Sequence, residues 1–486
     1  MNRSSLILLA LALPAPVYAQ AAAQPDTAPD APDVVVLGSP LPLPPGTPAY
    51  DSVIIDRARL TGDASGRVEN VLADVAGYQQ FRRSDSRSAN PSAQGVTLRA
   101  LGGNASSRAL VLLDGVPQAD PFFGYIPFNA LSPDRLGAVR ITRGGGAGAF
   151  GAGAVAGTIE LVSASRAQLP LTSGEIAYGS FDSSLATATI TPDVGAGYVS
   201  LFGRAERSDG FLTTPQSQRV AATVPARYRN WSAGLRAVAP VGADTEVQAN
   251  AQVLRDYRTL RFRGADSSSQ ANDASIRLIH RGAWAIDALA YVQARNFTNK
   301  VVSATTFRVT LDQRNTPSTG VGGKIELRPP VGDAHVLRIG VDTRIADGTL
   351  YENAFNGTTG LLTTLRTAGG HQATTGAFIE DDWTLGPLVL TGGGRVDRYT
   401  ISDGFLQETA AATGRITTNA NYQDRDGTIA TGRAGVLLHA ASAFDLRAAA
   451  YTGFRVPTLN ELYRPFVVFP VTTQANAALT PERLKG

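Results

Sequence analysis

Hydrophobic and polar residues alternate strictly in long stretches of the chain after about Leu171. Between Glu246 and Val253 every odd position is apolar and every even position is polar, and residues 231–237 and 321–328 repeat the pattern with apolar residues at odd positions. This alternation predicts β-strands with one apolar face. Strands of a soluble β-sandwich average about five or six residues. The stretches here run to around ten, as expected for strands tilted across a bilayer.

The pattern over residues 171–486 predicts a partial antiparallel transmembrane β-barrel of about thirteen strands. This number is odd, whereas single-chain bacterial barrels close with an even number of strands. A free edge in lipid would leave backbone donors and acceptors unpaired, at several kcal/mol each. The last residues, Arg483 to Gly486, follow a loop-like stretch at 476–482. We therefore expect either a miscounted strand or, as this ending favours, a chain that continues into further strands.

Residues 50–165 have a different sequence pattern, which is typical of a compact mixed α/β domain. Apolar residues at helical spacing from Val68 to Val75 predict a helix capped by Gly77, and Ser132-Pro133 predicts a short helix start. Asp114 to Pro117 is a turn signal, and residues 144–157 are rich in glycine. The predicted strands are 52–56, 109–113, 139–143 and 158–162.

The N-terminus predicts export. Arg3 precedes an apolar run from Leu6 to Leu13, and Val17-Tyr18-Ala19 has the small-residue spacing of a cleavage site, so residues 1–19 are expected to be a signal peptide. The alternative, a membrane anchor, needs about 20 apolar residues. This run is much shorter, and Pro14 and Pro16 interrupt it.

Residues 20–49 are rich in alanine, aspartate and proline and predict an extended, exposed periplasmic linker. Within it lies an apolar island, Asp33-Val34-Val35-Val36-Leu37, with strong strand propensity. The island could offer its main-chain hydrogen bonds to a partner protein. From this segment alone, a first buried strand of the following domain is an equally open interpretation.

Composition removes several function classes. No cysteine occurs among 486 residues, which excludes disulfides, thiolate metal sites and a cysteine nucleophile. A net charge of +3, from 44 basic and 41 acidic residues, is too small to indicate nucleic-acid binding. No stretch after the N-terminus is apolar enough to predict a membrane-spanning helix, whereas alternating barrel strands average out in hydropathy.

Three candidate chemistries are weak. Gly146 to Gly151 formally matches the dinucleotide-binding pattern, but a strand rather than a helix is predicted to follow. The four histidines are scattered singly, without metal-ligand spacing. The acidic cluster at 380–382 precedes Trp383 at a strand end and is expected at the rim of the membrane interface rather than in a catalytic role. We predict no catalytic residues, no metal site and no cofactor.

Several motifs give the chain a resemblance to the TonB-dependent outer-membrane receptors, most closely to the cobalamin and siderophore branch. In the α/β domain these motifs are 96–103, 112–117 and 143–159, and in the strand-rich part they are 378–383, 394–397 and 453–463. The resemblance implies an N-terminal plug domain at 50–165 inside the barrel. It also implies a barrel of 22 strands, so that residues 171–486 would supply only about thirteen of them.

The resemblance also implies site residues. The island Asp33, Val34, Val35, Val36 and Leu37 matches the position of the TonB box, which would add as a strand to the periplasmic domain of TonB. The plug motif positions are Arg99, Asp114, Gly115, Arg143, Gly144 and Gly151. Two departures argue against transferring ligand contacts. Gly145 stands where the family usually has proline, and an acidic residue common near Arg140 is replaced.

The expected function is TonB-dependent import of a scarce ligand across the outer membrane of a Gram-negative bacterium. Expected partners are TonB, outer-membrane lipid and a small molecule, with no nucleic acid. Ferric siderophore, cobalamin and oligosaccharide all remain open, because the sequence contains no legible contact motif. The alternatives are a passive porin-like channel, which has no use for a plug, and a periplasmic dinucleotide enzyme.

Overall fold

A computed structural model describes residues 38–82, 84–99, 101–102, 105–468 and 471–486. The expected signal peptide at 1–19 and the apolar island at 33–37 lie outside the described residues, so both stay predictions. Within the described part no helix is long and apolar enough to cross a membrane.

The N-terminal unit is a small α/β domain. Its elements are β1 (Ser52–Asp56), α1 (Arg57–Thr61), α2 (Val68–Leu72), β2 (Gln79–Gln80), β3 (Val96–Thr97), β4 (Ala109–Leu113), β5 (Val116–Pro117), β6 (Leu136–Thr142) and β7 (Gly157–Ser163). Short 3-10 helices lie at Thr47–Tyr50, Pro91–Ala93, Phe128–Ala130, Pro133–Arg135, Gly148–Phe150 and Arg166–Gln168. Five strands form one sheet in the order β1-β6-β7-β4-β5, in which only β4 and β7 run parallel.

The strands expected from the sequence in this domain are confirmed, with β6 beginning earlier than the pattern indicated. The helix expected at 68–75 is shorter, since α2 ends at Leu72 and the chain continues in turns to Tyr78. Val75 is nonetheless buried with Leu60, Leu72 and Ile159 in one apolar core. The helical spacing therefore predicted correctly which residues are buried. The end of the helix was predicted too late, because the residues after Leu72 form turns.

The second unit is a large antiparallel sheet. Its strands are β8 (Thr172–Gly179), β9 (Ser183–Ile190), β10 (Asp193–Val194), β11 (Gly197–Ser208), β12 (Arg227–Pro240), β13 (Thr245–Thr259), β14 (Asp266–His280), β15 (Ala285–Val302), β16 (Val309–Asn315), β17 (Pro317–Arg328), β18 (His335–Phe355), β19 (Leu362–Leu385), β20 (Leu388–Ala410), β21 (Ile416–Asn421), β22 (Arg425–Ala441) and β23 (Phe444–Arg455). The helix α3 (Leu459–Tyr463), a ribbon of β24 (Phe466–Val468) and β25 (Val471–Thr473), and β26 (Glu482–Lys485), which pairs with β23, complete the described elements.

Side chains along this sheet are arranged oppositely to those of a soluble protein. On β13, Glu246 and Gln248 face inward and are only 2% and 1% exposed, while on the outer face of β12 Trp231 is 42% exposed. The same alternation places Ile276, Val321 and Ile379 among the exposed residues of other strands. A polar interior behind an apolar exterior is the arrangement of a transmembrane β-barrel. It confirms the alternation read from the sequence.

The two ends of the sheet differ in the length of their connections. At one end the connections are tight, with residues 241–244, 281–284, 386–387 and 442–443 joining successive strands. At the other end they include residues 209–226 and 456–481. Transmembrane barrels have short periplasmic turns and longer extracellular loops. The end with tight turns therefore corresponds to the periplasmic side.

The α/β domain packs against the inner face of the large antiparallel sheet, which is called the wall below. Its 3-10 helix at Phe128–Ala130 contacts β12 and β13, the one at Gly148–Phe150 contacts β19, β20 and β22, and the one at Thr47–Tyr50 contacts β22 and β23. Because these strands are far apart in the sheet, the wall curves around the domain. The domain is thus a plug within the wall.

Candidate functional site

The plug motif Asp114-Gly115 forms the turn between β4 and β5. Asp114, at φ 49°, is buried, and its carboxylate accepts hydrogen bonds from the Ser163 backbone N–H at 2.9 Å and the Ser163 hydroxyl at 2.5 Å. Gly115, at φ +90°, lies so near the wall that a Cβ there would be 3.1 Å from Leu289 Cδ2. Both residues shape the plug where it meets β15.

A second group of motif residues lies where β6 ends. Arg143 donates to the Asp51 carboxylate at 2.8 Å and to the Ala76 carbonyl at 3.1 Å, and Arg99 donates to the Arg143 carbonyl at 3.3 Å. Gly144, at φ +109°, packs against the Tyr451 ring of β23, so a side chain would overlap the ring. These contacts join the end of β6 to the rest of the plug and to β23.

The glycine-rich loop after Gly144 joins plug and wall through the backbone. The N–H groups of Ala147 and Gly153 donate to the carbonyls of Thr452 and Phe454, at 3.1 and 2.9 Å. Gly151, at φ +76°, faces the Arg395 guanidinium. A three-residue 3-10 helix and then β7 follow, so no long helix opens here. The loop therefore attaches the plug to β23, a contact that the sequence did not indicate.

Residues 38–46, here called the tether, lie along the wall at the end with tight turns. Three wall arginines donate to tether carbonyls at 2.6 Å each: Arg236 to Gly38, Arg281 to Ser39 and Arg328 to Pro42. Such bonds from charged donors are about twice as strong as neutral ones. Gly38, Leu41, Pro44 and Gly46 are buried. The expectation of an exposed linker is therefore wrong for these four residues, whereas Pro42, Leu43 and Pro45 are exposed.

Wall carboxylates hold both ends of the tether. The Gly38 N–H donates to Glu246 at 3.1 Å, and the Gly46 N–H donates to Asp382 at 2.6 Å. Asp382 lies on β19 beneath the plug, where Gly46 has no room for a side chain. The tether is thus fixed at its first and last residues, immediately after the apolar island 33–37.

Buried charges line the inner wall above the tether. Glu380 accepts from Arg338 at 3.1 Å and from Arg433 at 2.5 Å, and Arg338 also donates to Glu326 at 2.9 Å. Glu380 and Asp382 are 3% and 2% exposed. The expectation that the acidic cluster 380–382 lies at the membrane rim is wrong for these two residues. Strand alternation turns them inward, and only Asp381 faces outward.

The histidines gain partners that sequence spacing could not show. His335 lies 2.7 Å from Asp381, His439 lies 2.8 Å from Asp445, and His371 lies 3.8 Å from Asp347. Each acidic partner comes from a neighbouring strand of the sheet. Among the described residues no group of three or more histidine and acidic side chains could hold a metal ion.

At the end with long loops, residues 456–465, here called the lid, fold inward over the plug. Leu459, Leu462 and Tyr463 are buried, and Tyr463 stacks on Tyr422 at 5.3 Å between ring centroids. The Asn460 N–H donates to the carbonyl of Phe122 on the plug at 3.1 Å. The lid, the plug and the wall share one apolar cluster.

Thr458 and Glu461 form a capping box at the start of α3 in the lid. Glu461 is partly buried, yet its hydrogen bonds from Arg455 and from the Thr458 N–H, the latter at 2.8 Å, hold the pKa of Glu461 below its usual 4.5. A carboxylate with a lowered pKa contributes stability above the unfolded-state pKa and loses it as the pH falls through the folded pKa. We expect amide exchange in the lid to accelerate below about pH 4.5.

Hydrogen exchange of the Leu462 and Arg464 amides, corrected for intrinsic rates, tests this expectation. Glu461→Gln should exchange faster at neutral pH and lose the acid-dependent step. An unchanged acid profile in Glu461→Gln would contradict the assignment.

Fold and site define a class: a bacterial outer-membrane β-barrel with a plug domain inside it. Two family models cover the chain, "TonB-dependent Receptor Plug Domain" over residues 47–158 and "TonB dependent receptor-like, beta-barrel" over residues 179–486. The chain belongs to the TonB-dependent receptor family. Members of this family take up ligands across the outer membrane and are transporters rather than enzymes.

Solved structures agree on the fold. The copper transporter OprC superposes with a TM-score of 0.69 at 18% identity, covering 90% of this chain and 68% of that one. The hemophore receptor HasR of Serratia marcescens has a TM-score of 0.66 at 16% identity, with 90% and 69% covered. The ferric yersiniabactin uptake receptor FyuA of Yersinia pestis has a TM-score of 0.66 at 14% identity, with 89% and 68% covered. The ferric citrate transporter FecA has a TM-score of 0.62 at 14% identity, and the chain spans 63% of its length.

Proposed function

We propose that this receptor imports a scarce metal chelate, such as a ferric siderophore or cobalamin, and that TonB draws on the segment 33–37 to release it. The observation that carries the proposal is the tether. It begins one residue after this segment and is hydrogen-bonded directly to the wall beneath the plug. A pull on residues 33–37 would therefore load these bonds to the wall first and would reach the plug through the backbone once they open.

A chelate fits this chain better than a bare metal ion. Copper is preferentially held by cysteine, methionine and histidine. The sequence has no cysteine, and its one methionine is Met1. Three of its four histidines, His280, His335 and His439, lie beside tight turns at the periplasmic end. These positions are remote from the lid, where an incoming ligand would first be bound.

Energy input has a physical reason in this proposal. A receptor that captures a dilute ligand at about nanomolar Kd, or about 12 kcal/mol, releases it slowly without help. Work delivered through the tether would loosen the plug and the ligand contacts together. The domain division used here is part of the proposal: signal peptide 1–19, linker with TonB box 20–49, plug 50–165 and barrel from 171.

Replacing Val35 by proline should abolish energised uptake while ligand binding to cells is unchanged. Proline removes a main-chain donor that an added strand needs. The measurement is accumulation of labelled ferric siderophores and cobalamin in cells producing the complete gene product, alongside binding at 4 °C.

Ala28→Pro is the matched control, since it introduces the same residue into the same proline-rich segment outside the box. Its uptake should equal wild type. Undiminished uptake in Val35→Pro would remove the box assignment. Uptake that survives collapse of the proton-motive force would replace the proposal with a passive channel.

A further inference from the structure

Two cavities lie between the plug and the same part of the wall, one nearer each end of the barrel. The lid-end cavity, about 190 Å³, is lined on the wall by Tyr291 and Gln293 of β15, Gly320 of β17 and Ala346 of β18. The tether-end cavity, about 100 Å³, continues along the same strands. Its wall residues on β15, β17 and β18 include Asp287, Leu289, Lys324, Glu326, Arg328 and Arg338. The cavities are therefore successive spaces on one path.

Arg344 of β18 lines both cavities and separates them. Its guanidinium donates to two carbonyls of the glycine-rich plug loop, to Ala152 at 2.6 Å and to Phe150. Val116 of the plug packs against Leu289, which lines the tether-end cavity, and against Tyr291, which lines the lid-end cavity. Arg344 thus lies where the two spaces meet and is bonded there to two backbone oxygens of the plug.

The tether forms part of the boundary of the tether-end cavity. Pro40, Leu41, Pro42, Leu43 and Pro44 line it, and the Pro42 carbonyl accepts from Arg328, which also lines it. Withdrawal of the tether would open this cavity toward the periplasmic end. A pull there and a release at Arg344 would together join the two spaces.

Cationic residues outnumber acidic ones in the tether-end cavity. Seven cationic side chains line it, Arg140, Arg277, Lys324, Arg328, Arg338, Arg344 and Arg433, against four acidic ones, Asp114, Glu160, Asp287 and Glu326. Burial raises the pKa of Glu160, which favours its neutral form. Arginine forks suit carboxylate and phosphate oxygens.

We propose that cargo passes between the plug and strands β15, β17 and β18, that Arg344 latches this route, and that the tether-end cavity is a transit site for anionic groups of the cargo. The inference rests on the proposed function and deepens it, because it names an anionic chelate as the substrate class. The route itself is a property of the barrel that can be measured without TonB.

Arg344→Ala should open the route to small ions. Reconstituted in planar bilayers in KCl, the variant should conduct about ten-fold more than wild type, since two hydrogen bonds from a charged donor bias a closed state by at least this factor. The current should be anion-selective, as seen in the reversal potential across a KCl gradient. Arg258→Ala is the matched control: Arg258 also donates to two plug carbonyls, those of Ser86 and Ala89, but lines neither cavity. It should stay closed.

A second pair of variants tests the anion site in the Arg344→Ala background. Arg140→Gln should reduce the preference for chloride, whereas Arg82→Gln, on a plug arginine outside both cavities, should leave it unchanged. Heat-modifiable migration on gels identifies folded protein in every sample. Arg344→Lys, which keeps the charge but loses the fork, should conduct at an intermediate level.

Equal conductance in folded Arg344→Ala and wild type would overturn the route, and a cation-selective current would overturn the anion site. Neither result would affect the proposed function, which depends on uptake through Val35 and the proton-motive force. Conversely, uptake independent of TonB would remove the proposed function while the bilayer results stood.

Discussion

Glu380→Ala should lower the free energy of unfolding by about 3–5 kcal/mol, the usual cost of removing one partner from a buried charge cluster. The Glu380 carboxylate accepts from both Arg338 and Arg433. Without it the two guanidiniums face each other with one fewer negative charge between them. Arg433 also lies over the Tyr50 ring of the plug, 4.3 Å from its centroid, so the plug should loosen as well.

The neighbouring Asp381 gives a matched control. It faces outward and pairs with His335, and both side chains are about one third exposed, at 37% and 35%. Even a fully charged pair this exposed would contribute only about 0–1 kcal/mol. Thermal unfolding in detergent, followed by circular dichroism, should therefore separate Asp381→Ala from Glu380→Ala. Equal losses in the two variants would show that the buried cluster is not what stabilises this part of the wall.

Gly146→Ala should unseat the glycine-rich loop from the wall. Gly146 adopts φ +61°, and a Cβ there would overlap the Thr452 carbonyl of β23. That carbonyl accepts from the Ala147 N–H at 3.1 Å, so a methyl group would disrupt the bond as well. Strain from positive φ costs about 1–2 kcal/mol, and overpacking adds about 1–3 kcal/mol.

Gly386→Ala isolates the backbone contribution. Gly386 has φ +60°, almost the same conformation, but nothing lies within 4 Å of an added Cβ in its tight turn. Gly386→Ala should therefore lose only the stability that corresponds to the backbone strain at positive φ. Limited proteolysis of the plug, together with unfolding temperature, distinguishes the two variants. If Gly386→Ala were as destabilising as Gly146→Ala, contact with Thr452 would not be the cause.

Much of the wall was predictable because alternation alone sets which side chains face inward. The period of two at residues 246–253 placed Glu246 and Gln248 on one face, and both are buried. Applied to residues 380–382, the same rule would have turned Glu380 and Asp382 inward. Their sequence clustering next to Trp383 instead suggested the membrane rim. Periodicity was the better guide because the pleat of a strand separates neighbours in sequence.

The contacts that join the plug and the tether to the wall could not have been predicted. Arg236, Arg328 and Arg344 donate to backbone carbonyls, and a carbonyl is present at every residue, so it leaves no trace in the sequence. Partners such as His335 and Asp381 are 46 residues apart along the chain. The register of β18 against β19 brings them together. The register that pairs two strands can be read only from the folded sheet.

The order of bonds along the tether has a mechanical consequence. A force applied before Gly38 loads the bonds to Glu246 and Arg236 first, then those to Arg281 and Arg328, and the bond to Asp382 last. Bonds met one after another peel open rather than sharing the load. Each step then breaks one charged hydrogen bond, whose free energy is on the order of 1.5–3 kcal/mol. The peak force is set by the strongest single step and does not rise with the number of contacts that the tether makes.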